Sequence, residues 1–544
     1  MKLNSKPPGF RAAIPCGLIF ALALVPAAMA SPSDPVILTQ SGRLQGTVST
    51  ATITYLGIPY AAAPVGAQRW MPPQPYGTWT GILQATTAGS ECPQVSPTNS
   101  SLVVGKEDCL FLNVYTPIGK NTTKPHNRAV MVWIHGGGLT KGAGSEFNPT
   151  PLVEGGDVIV VTFNYRLGLL GFFAEQQLDA EGHPAANYGL MDQQFALKWV
   201  QDNIAAFGGD PSRITVFGES AGGLSVYSQL ASPTAAGLFT GAIAQSGAYG
   251  GFSPDYRPFI LPISTAESTG YPPFVLSGAA YATAAGCPNG DTACLRAALA
   301  SAVILALGPR TPYPVVDGTI LAQTPGDAFA SGNFNQVPVI TGNNHDEYRY
   351  FVGEMQPALT NADYDSAFVK TFASFAPSVE GEYPFPPPTV ILPPANETEI
   401  LLATAGTDGI FVCPARRAEL SLANYVPVWA YEFDDPNAPP PQSPPYPAVD
   451  FPLLAYHSAD VQYLFDKGTF PDMNSGQLSL SASMISYWTE FAKKANPNSA
   501  TQPHWAPYNS KAEKRQFFSP PTPTFESGSA FDTSHMCSSY WDTL

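Results

Sequence analysis

From Arg128 the chain reads RAVMVWIH, an apolar run of strand length that ends at Gly136-Gly137-Gly138. DVIVVTFNYR over 157–166 has the same character. So do the shorter runs ITVF at 214–217, GAIAQSG at 241–247 and VPVITG at 337–342. Runs with little polar alternation suit strands covered on both faces. Between them, MDQQFALKWVQDNIAAF over 191–207 places apolar residues at helical spacing and stops at Phe207-Gly208-Gly209. AGGLSVYSQL, from Ala221, predicts a small-residue helix directly after the ITVF strand. SMISYWTEFAKKAN over 483–496 predicts a late one. Strands alternating with helices predict an α/β fold, with a mostly parallel central sheet covered by helices on both faces.

The C-terminal half is less regular. DDPNAPPPQSPPYP over 434–447 is too rich in proline for a regular element and predicts an extended surface loop or partial lid. The length of 544 residues would accommodate several domains. With no internal repeat and no separating linker, the pattern favours one large domain over 31–544 carrying loop insertions.

The first thirty residues have a different logic. Lys2, Lys6 and Arg11 precede an apolar stretch from Ala12 to Val25, and Ala28-Met29-Ala30 forms a small-residue cleavage site before Ser31. The stretch is short for a bilayer span and bracketed by Pro15 and Pro26, so residues 1–30 read as a removable export signal rather than an anchor. The expected location is extracellular, or periplasmic in a Gram-negative host. Removal of the signal takes Cys16 and leaves Cys92, Cys109, Cys287, Cys294, Cys413 and Cys537, an even set that suits disulfides in an exported chain. Proximity pairs Cys92 with Cys109 and Cys287 with Cys294, leaving Cys413 for Cys537. No CxxC pair or histidine cluster accompanies them, so metal binding is not expected. Asn99, Asn121 and Asn396 head glycosylation sequons, relevant in a glycosylating host. The net charge of −16, without a basic stripe, argues against nucleic acid as a partner.

Gly218-Glu219-Ser220-Ala221-Gly222 is a G-x-S-x-G sequence between a strand and a helix. That context lifts a serine hydroxyl above the sheet on a sharp turn, with glycines where neighbouring backbone must approach. Such a serine needs a base to take its proton and donors for a tetrahedral oxyanion. His135-Gly136-Gly137-Gly138, following a strand, can supply backbone N–H groups from Gly137 and Gly138, and Ala221 can complete the set.

These motifs, with GIPYAAAPVG, EDCLFLNVY, NYRLGLLGFF, NYGLMDQQFALKWVQDNIAAFGGDP and QSGA, resemble the type-B carboxylesterase/lipase family, most closely between Val36 and Ala248. The resemblance implies an α/β-hydrolase fold and a serine ester hydrolase acting on small-molecule esters without cofactor, metal or membrane anchor. It places the acid at Glu347 in NNHDEYRYF, where Tyr348 stands in place of the family's usual glycine. It places the base at His457 in AYHSADVQYLF, in the order nucleophile, acid, base. It also implies the same three cysteine pairs. From the residues alone the choice is more open. Asp346 and Asp460 are alternative acids, Asp346 being equally suited to bracing its loop. His345 lies close to the proposed acid in sequence, and His504 and His535 suggest surface or terminal positions. The short Cys92–Cys109 loop lacks the tryptophan that the family's cholinesterases set against choline, and it suggests soluble esters over interfacial lipids. Other classes to weigh are an interfacial lipase, an amide or carbamate hydrolase, and a non-catalytic adhesion protein of the same family.

Overall fold

In a computed structural model, the described residues are 35–50, 52–118, 127–250, 260–270, 276–355, 358–387, 397–440, 451–466 and 473–544. The export signal, Cys16, Asn121, Asn396 and residues 441–447 of the proline-rich segment lie outside them.

Eleven strands make the central sheet: β1 (Thr47–Val48), β2 (Thr52–Pro59), β3 (Phe111–Pro117), β4 (Arg128–Ile134), β5 (Ile159–Phe163), β6 (Gly209–Glu219), β7 (Gly241–Gln245), β8 (Val339–Asn344), β9 (Val428–Phe433), β10 (Arg515–Phe518) and β11 (Thr524–Glu526). Their order across the sheet is 1-2-3-5-4-6-7-8-9-10-11. The run from β5 to β10 is parallel throughout. Antiparallel strands close both edges.

The apolar runs divide between two cores, as period-two alternation requires. From β4, Val130, Val132 and Ile134 enter one core, and Met131 and Trp133 enter the other. The first core is covered by α1 (Tyr188–Asn203) and α2 (Ala221–Ala231), through Leu190, Leu197, Leu224 and Val226. Three more helices follow: α3 (Tyr348–Gly353), α4 (Glu397–Gly406) and α5 (Cys413–Leu422). The last two are joined by a π-helical turn over Thr407–Val412. The second core is covered by α6 (Ser475–Lys494), through Leu480, Met484 and Trp488. The short helix α7 (Gly528–His535) ends the regular structure before Cys537. Residues Pro35–Leu544 form one compact unit.

Several boundaries differ from the pattern for identifiable reasons. The second apolar run leaves the sheet after Phe163, because the following polar residues are used elsewhere. Asn164 donates to the carbonyls of Ser90 and Cys109, and Arg166 pairs with Asp192 on α1. The α1 helix gives way to a tighter turn at 204–207 and stops at Gly208, whose φ is 85°. The α6 helix begins eight residues before the apolar pattern, at a capping box in which the Asn474 and Gln477 side chains each accept from the other's backbone. Cysteines pair 92–109, 287–294 and 413–537. Asn99 is exposed on a two-stranded hairpin.

One expectation is refined and one corrected. The described start of the proline-rich segment is irregular chain with Pro436, Asn437 and Pro440 exposed, but Ala438 and Pro439 are buried and the Pro439 carbonyl accepts from the Tyr456 hydroxyl and Gln462. His535 is not a surface residue but is 2% exposed, at the end of α7.

Candidate active site

Ser220 stands between the end of β6 and the first residue of α2, with φ 56° and ψ −121°. A non-glycine residue in this region is strained, and the surroundings enforce it. The Ser220 N–H donates to the Gln245 carbonyl at 2.9 Å. Gly222 packs so closely on β4 that a Cβ there would lie 2.0 Å from the Ile134 carbonyl oxygen. Only a glycine lets α2 start this near the neighbouring strand.

The loop after β4 lies against the same turn: a Cβ on Gly136 would meet the Glu219 carbonyl at 2.8 Å and the Ser220 Cβ at 3.2 Å. Gly137 and Gly138 have φ of 102° and 63°. Thr140 and Lys141 both donate to the Gly137 carbonyl, closing the turn. His135 anchors its base, stacked on Tyr165, whose hydroxyl donates to the His135 carbonyl at 2.8 Å. Ala221, as the first residue of α2, has no intrahelical partner for its N–H.

Glu347 follows β8 and is fully buried. Its Oε1 accepts from the Asn344 N–H at 2.7 Å, and its Oε2 lies 2.5 Å from His457 Nδ1. The loop carrying His457 is tied to the loop carrying Glu347: Asn344 donates to the Tyr456 carbonyl, and the Asp346 N–H donates to that of Ala455. Phe351 and Phe411 pack on the imidazole at ring distances of 4.8 and 5.0 Å. His457 Nε2 is buried with no hydrogen-bond partner.

This geometry separates the alternatives. Asp460 is buried but accepts from Gln245 at 2.7 Å and from the Tyr431 hydroxyl at 3.2 Å. Asp346 braces its loop through Arg349 at 2.9 Å. Of the other histidines, His345 neighbours Asp346, His504 is exposed, and His535 is held by Asp408 and Glu432. Tyr348, in the usual glycine position, opens α3 and donates its N–H to the Thr407 hydroxyl, so the substitution leaves Glu347 in reach of His457.

Two neighbours were not singled out from sequence. Glu219, within the serine motif itself, is buried, accepts from the Ser458 hydroxyl at 2.6 Å and sits 3.3 Å from His457 Nε2. Its position beside Ser220 was the available signal. Tyr249 follows β7 and is buried, with its hydroxyl close enough to the Ser220 side chain to interact with it. Nothing local marks it.

Three carboxylates surround one imidazole, and their charges decide its protonation. Burial pushes Glu219 up to about 7 and Asp460 up to about 6. Burial lowers His457, but Glu219 and then Glu347 outweigh it and hold the imidazole up at about 9. A cleft of about 390 Å³, counting its open mouth, is lined by Leu169, Phe172, Phe173, Tyr281, Tyr313 and other uncharged residues, and neither Ser220, His457 nor the glycine loop is among them. Thr311, adjoining two of its wall residues, lies 3.8 Å from where a Gly138 Cβ would be.

The sheet, the strained serine turn and the buried acid–imidazole pair are those of a serine hydrolase with the α/β-hydrolase fold. Comparison with known proteins narrows the class. The sequence profile of the carboxylesterase family matches residues 33–524. The chain is 33% identical to the para-nitrobenzyl esterase of Bacillus subtilis, over 88% of this chain and 94% of that one. It is 32% identical to a pyrethroid hydrolase, Ces2e, of Rattus norvegicus, over 92% and 88%. It is also 32% identical to the fumonisin B1 esterase of Sphingopyxis macrogoltabida, over 90% and 87%. A solved structure of a PNB esterase superposes with a TM-score of 0.73 at 30% identity, covering 92% of this chain and 99% of that one. The chain belongs to the carboxylesterase family, and it is a carboxylic-ester hydrolase.

Proposed function

We propose that the protein hydrolyses neutral esters bearing an apolar group by two-step acyl transfer, with Ser220 as nucleophile, His457 as base and Glu347 as the acid that orients it. The observation that carries this is the buried 2.5 Å contact of Glu347 with His457, in a site shared with the strained Ser220 turn. In the proposed cycle the Ser220 hydroxyl turns to His457 Nε2, which is buried without a hydrogen-bond partner. Its oxygen attacks the ester carbonyl as its proton passes to Nε2. The N–H groups of Gly137, Gly138 and Ala221 receive the oxyanion, each contributing about 10²–10³ in rate. His457 then returns the proton to the leaving alcohol, and water, deprotonated by the same imidazole, releases the acid and restores Ser220. The steps require no metal or cofactor.

An apolar acyl or alcohol group is supported by the uncharged cleft, which nears the glycine loop through Thr311, the neighbour of its wall residue Pro312, since an ionised group would be left there without a counter-charge. Pairing of all six cysteines beyond residue 30 supports export behind a cleaved 1–30 signal. Among the described residues no helix is long and apolar enough to cross a membrane. A single domain over 31–544 is proposed with it.

The test is hydrolysis of p-nitrophenyl esters of short and long acyl chain by the mature protein, beside Ser220→Ala of confirmed fold. Turnover of short esters, reduced about 10⁶-fold in the variant, is expected. Turnover confined to long chains at an interface would replace the esterase reading with a lipase. A wild-type protein that neither turns over esters nor takes up a fluorophosphonate on Ser220 would leave the adhesion class.

A further inference from the structure

Where the ends of β8 and β9 meet α7, the fold buries a group of ionisable side chains that the ester reaction does not use. His535 stands between two carboxylates, with Nδ1 2.6 Å from Asp408 Oδ1 and Nε2 2.8 Å from Glu432 Oε1. His345 packs on it at a ring distance of 4.9 Å and has its own Nδ1 3.3 Å from Asp346 Oδ2. A ring nitrogen of each histidine and an oxygen of Glu432 all lie within 4.8 Å of one another. Glu432 is fully buried, and its carboxylate also meets the carboxyl of Glu526, which burial and the Glu432 charge push up to about 8, so that a proton lies between the two. Buried carboxylates cost free energy unless protons or a cation meet them, and a cation entering the group would displace protons held there.

We propose that His345, Glu432 and His535 form a binding site for one divalent ion of the zinc class. Two imidazoles and a carboxylate are the donor set such ions favour over calcium or magnesium, which take oxygen ligands. Asp408 on His535 and Asp346 on His345 stand where carboxylates stand behind metal-bound histidines, fixing ring orientation from the nitrogen turned away from the ion. Donor atoms around a tetrahedral zinc are about 3.3 Å apart, following from bonds of about 2.0–2.1 Å. Donors as far apart as 4.8 Å must therefore close by up to about 1.5 Å, and His345 has the freedom to do so, its side chain being 33% exposed. His345 also forms a second, shallower group with Asp346 and Asp434, neither of them fully buried. That group offers an approaching cation a negatively charged route inward. The ion would join three segments remote in sequence: the end of β8 just before Glu347, strand β9, and α7 next to Cys537. It is a structural ion, apart from Ser220 and His457.

The experiment uses the mature protein after chelator treatment and dialysis. ZnCl2 is titrated calorimetrically, and CoCl2 is followed by visible absorption. The expected result is one Zn²⁺ per chain, competition between the two metals, and cobalt bands of a low-coordinate nitrogen–oxygen site. His345→Asn should abolish both signals; being partly exposed, this position tests the proposal without threatening the fold. Asp408→Asn, which removes the carboxylate behind His535 while keeping an amide oxygen for the Tyr383 hydroxyl, should weaken binding about 10–100-fold. Ser220→Ala should bind zinc as the wild type does, which keeps this result independent of the esterase reading. Absence of stoichiometric uptake, or uptake unchanged in His345→Asn, would overturn the proposal and leave the cluster as a network of protons and carboxylates.

Discussion

Glu219→Gln is the substitution that most directly tests the electrostatics of the site. The carboxylate lies 3.3 Å from His457 Nε2 and is the strongest of the influences raising that imidazole, which is held at about 9. In the proposed cycle His457 must be neutral to accept the Ser220 proton, so kcat/KM is expected to rise with pH through the His457 transition. Removing the negative charge lowers that transition, and the rising limb moves to lower pH. Coulomb's law at this separation, with an effective dielectric of about 20, gives about 5 kcal/mol, or roughly 3.7 pKa units, as a ceiling. Two facts reduce it. The Ser458 hydroxyl holds the carboxylate and disperses its charge, and Glu219 and His457 titrate as a coupled pair that shares the shift. A displacement of about 1–2 units is expected. Glutamine has the same length and keeps a carbonyl oxygen for the Ser458 hydroxyl, so the loop is retained. The assay is kcat/KM for a soluble p-nitrophenyl ester between pH 5 and 10, with circular dichroism to confirm folding. A limb that stays in place, or moves to higher pH, would refute the assignment of Glu219 as the main charge acting on His457.

Two further predictions concern the frame that holds the site. Gly222→Ala forces a Cβ to within 2.0 Å of the Ile134 carbonyl, so α2 must retreat from β4 and carry Ser220 with it; a displacement of about 1 Å costs on the order of 10² in kcat/KM. Wild-type turnover in that variant would show that the turn tolerates a side chain there. Asp192→Ala leaves the Arg166 guanidinium buried without the carboxylate it holds at 2.7 and 2.8 Å, and stability should fall by about 3–5 kcal/mol. The readout is the urea midpoint, and a change below about 1 kcal/mol would show that other groups compensate the guanidinium.

Much of the frame was legible locally. Apolar runs placed β4, β5, β7 and β8, because a strand covered on both faces must be apolar throughout. The Ser220 turn was legible because its glycines answer close contacts with the adjoining strand, and those contacts act over a few residues. Glu347 and His457, 110 residues apart, came from resemblance to a family, since nothing in a lone Asp-Glu or Tyr-His records what it faces. The start of α6 was missed because its first turns present polar residues, and the capping box, rather than apolar spacing, sets the boundary.

His535 shows the limit most clearly. A histidine close to the C-terminus has no local reason to be buried, and its neighbours Asp408 and Glu432 lie 127 and 103 residues away. Local pattern was enough for the central strands, the serine turn, the glycine loop and the supply of cysteines, because each depends on contacts between near neighbours or on the periodicity of one element. Long-range contacts alone settled which carboxylate faces which imidazole, that Glu219 lies against His457, and that two histidines converge on Glu432. Those outcomes depend on burial and charge contributed by segments that meet only when the sheet is assembled.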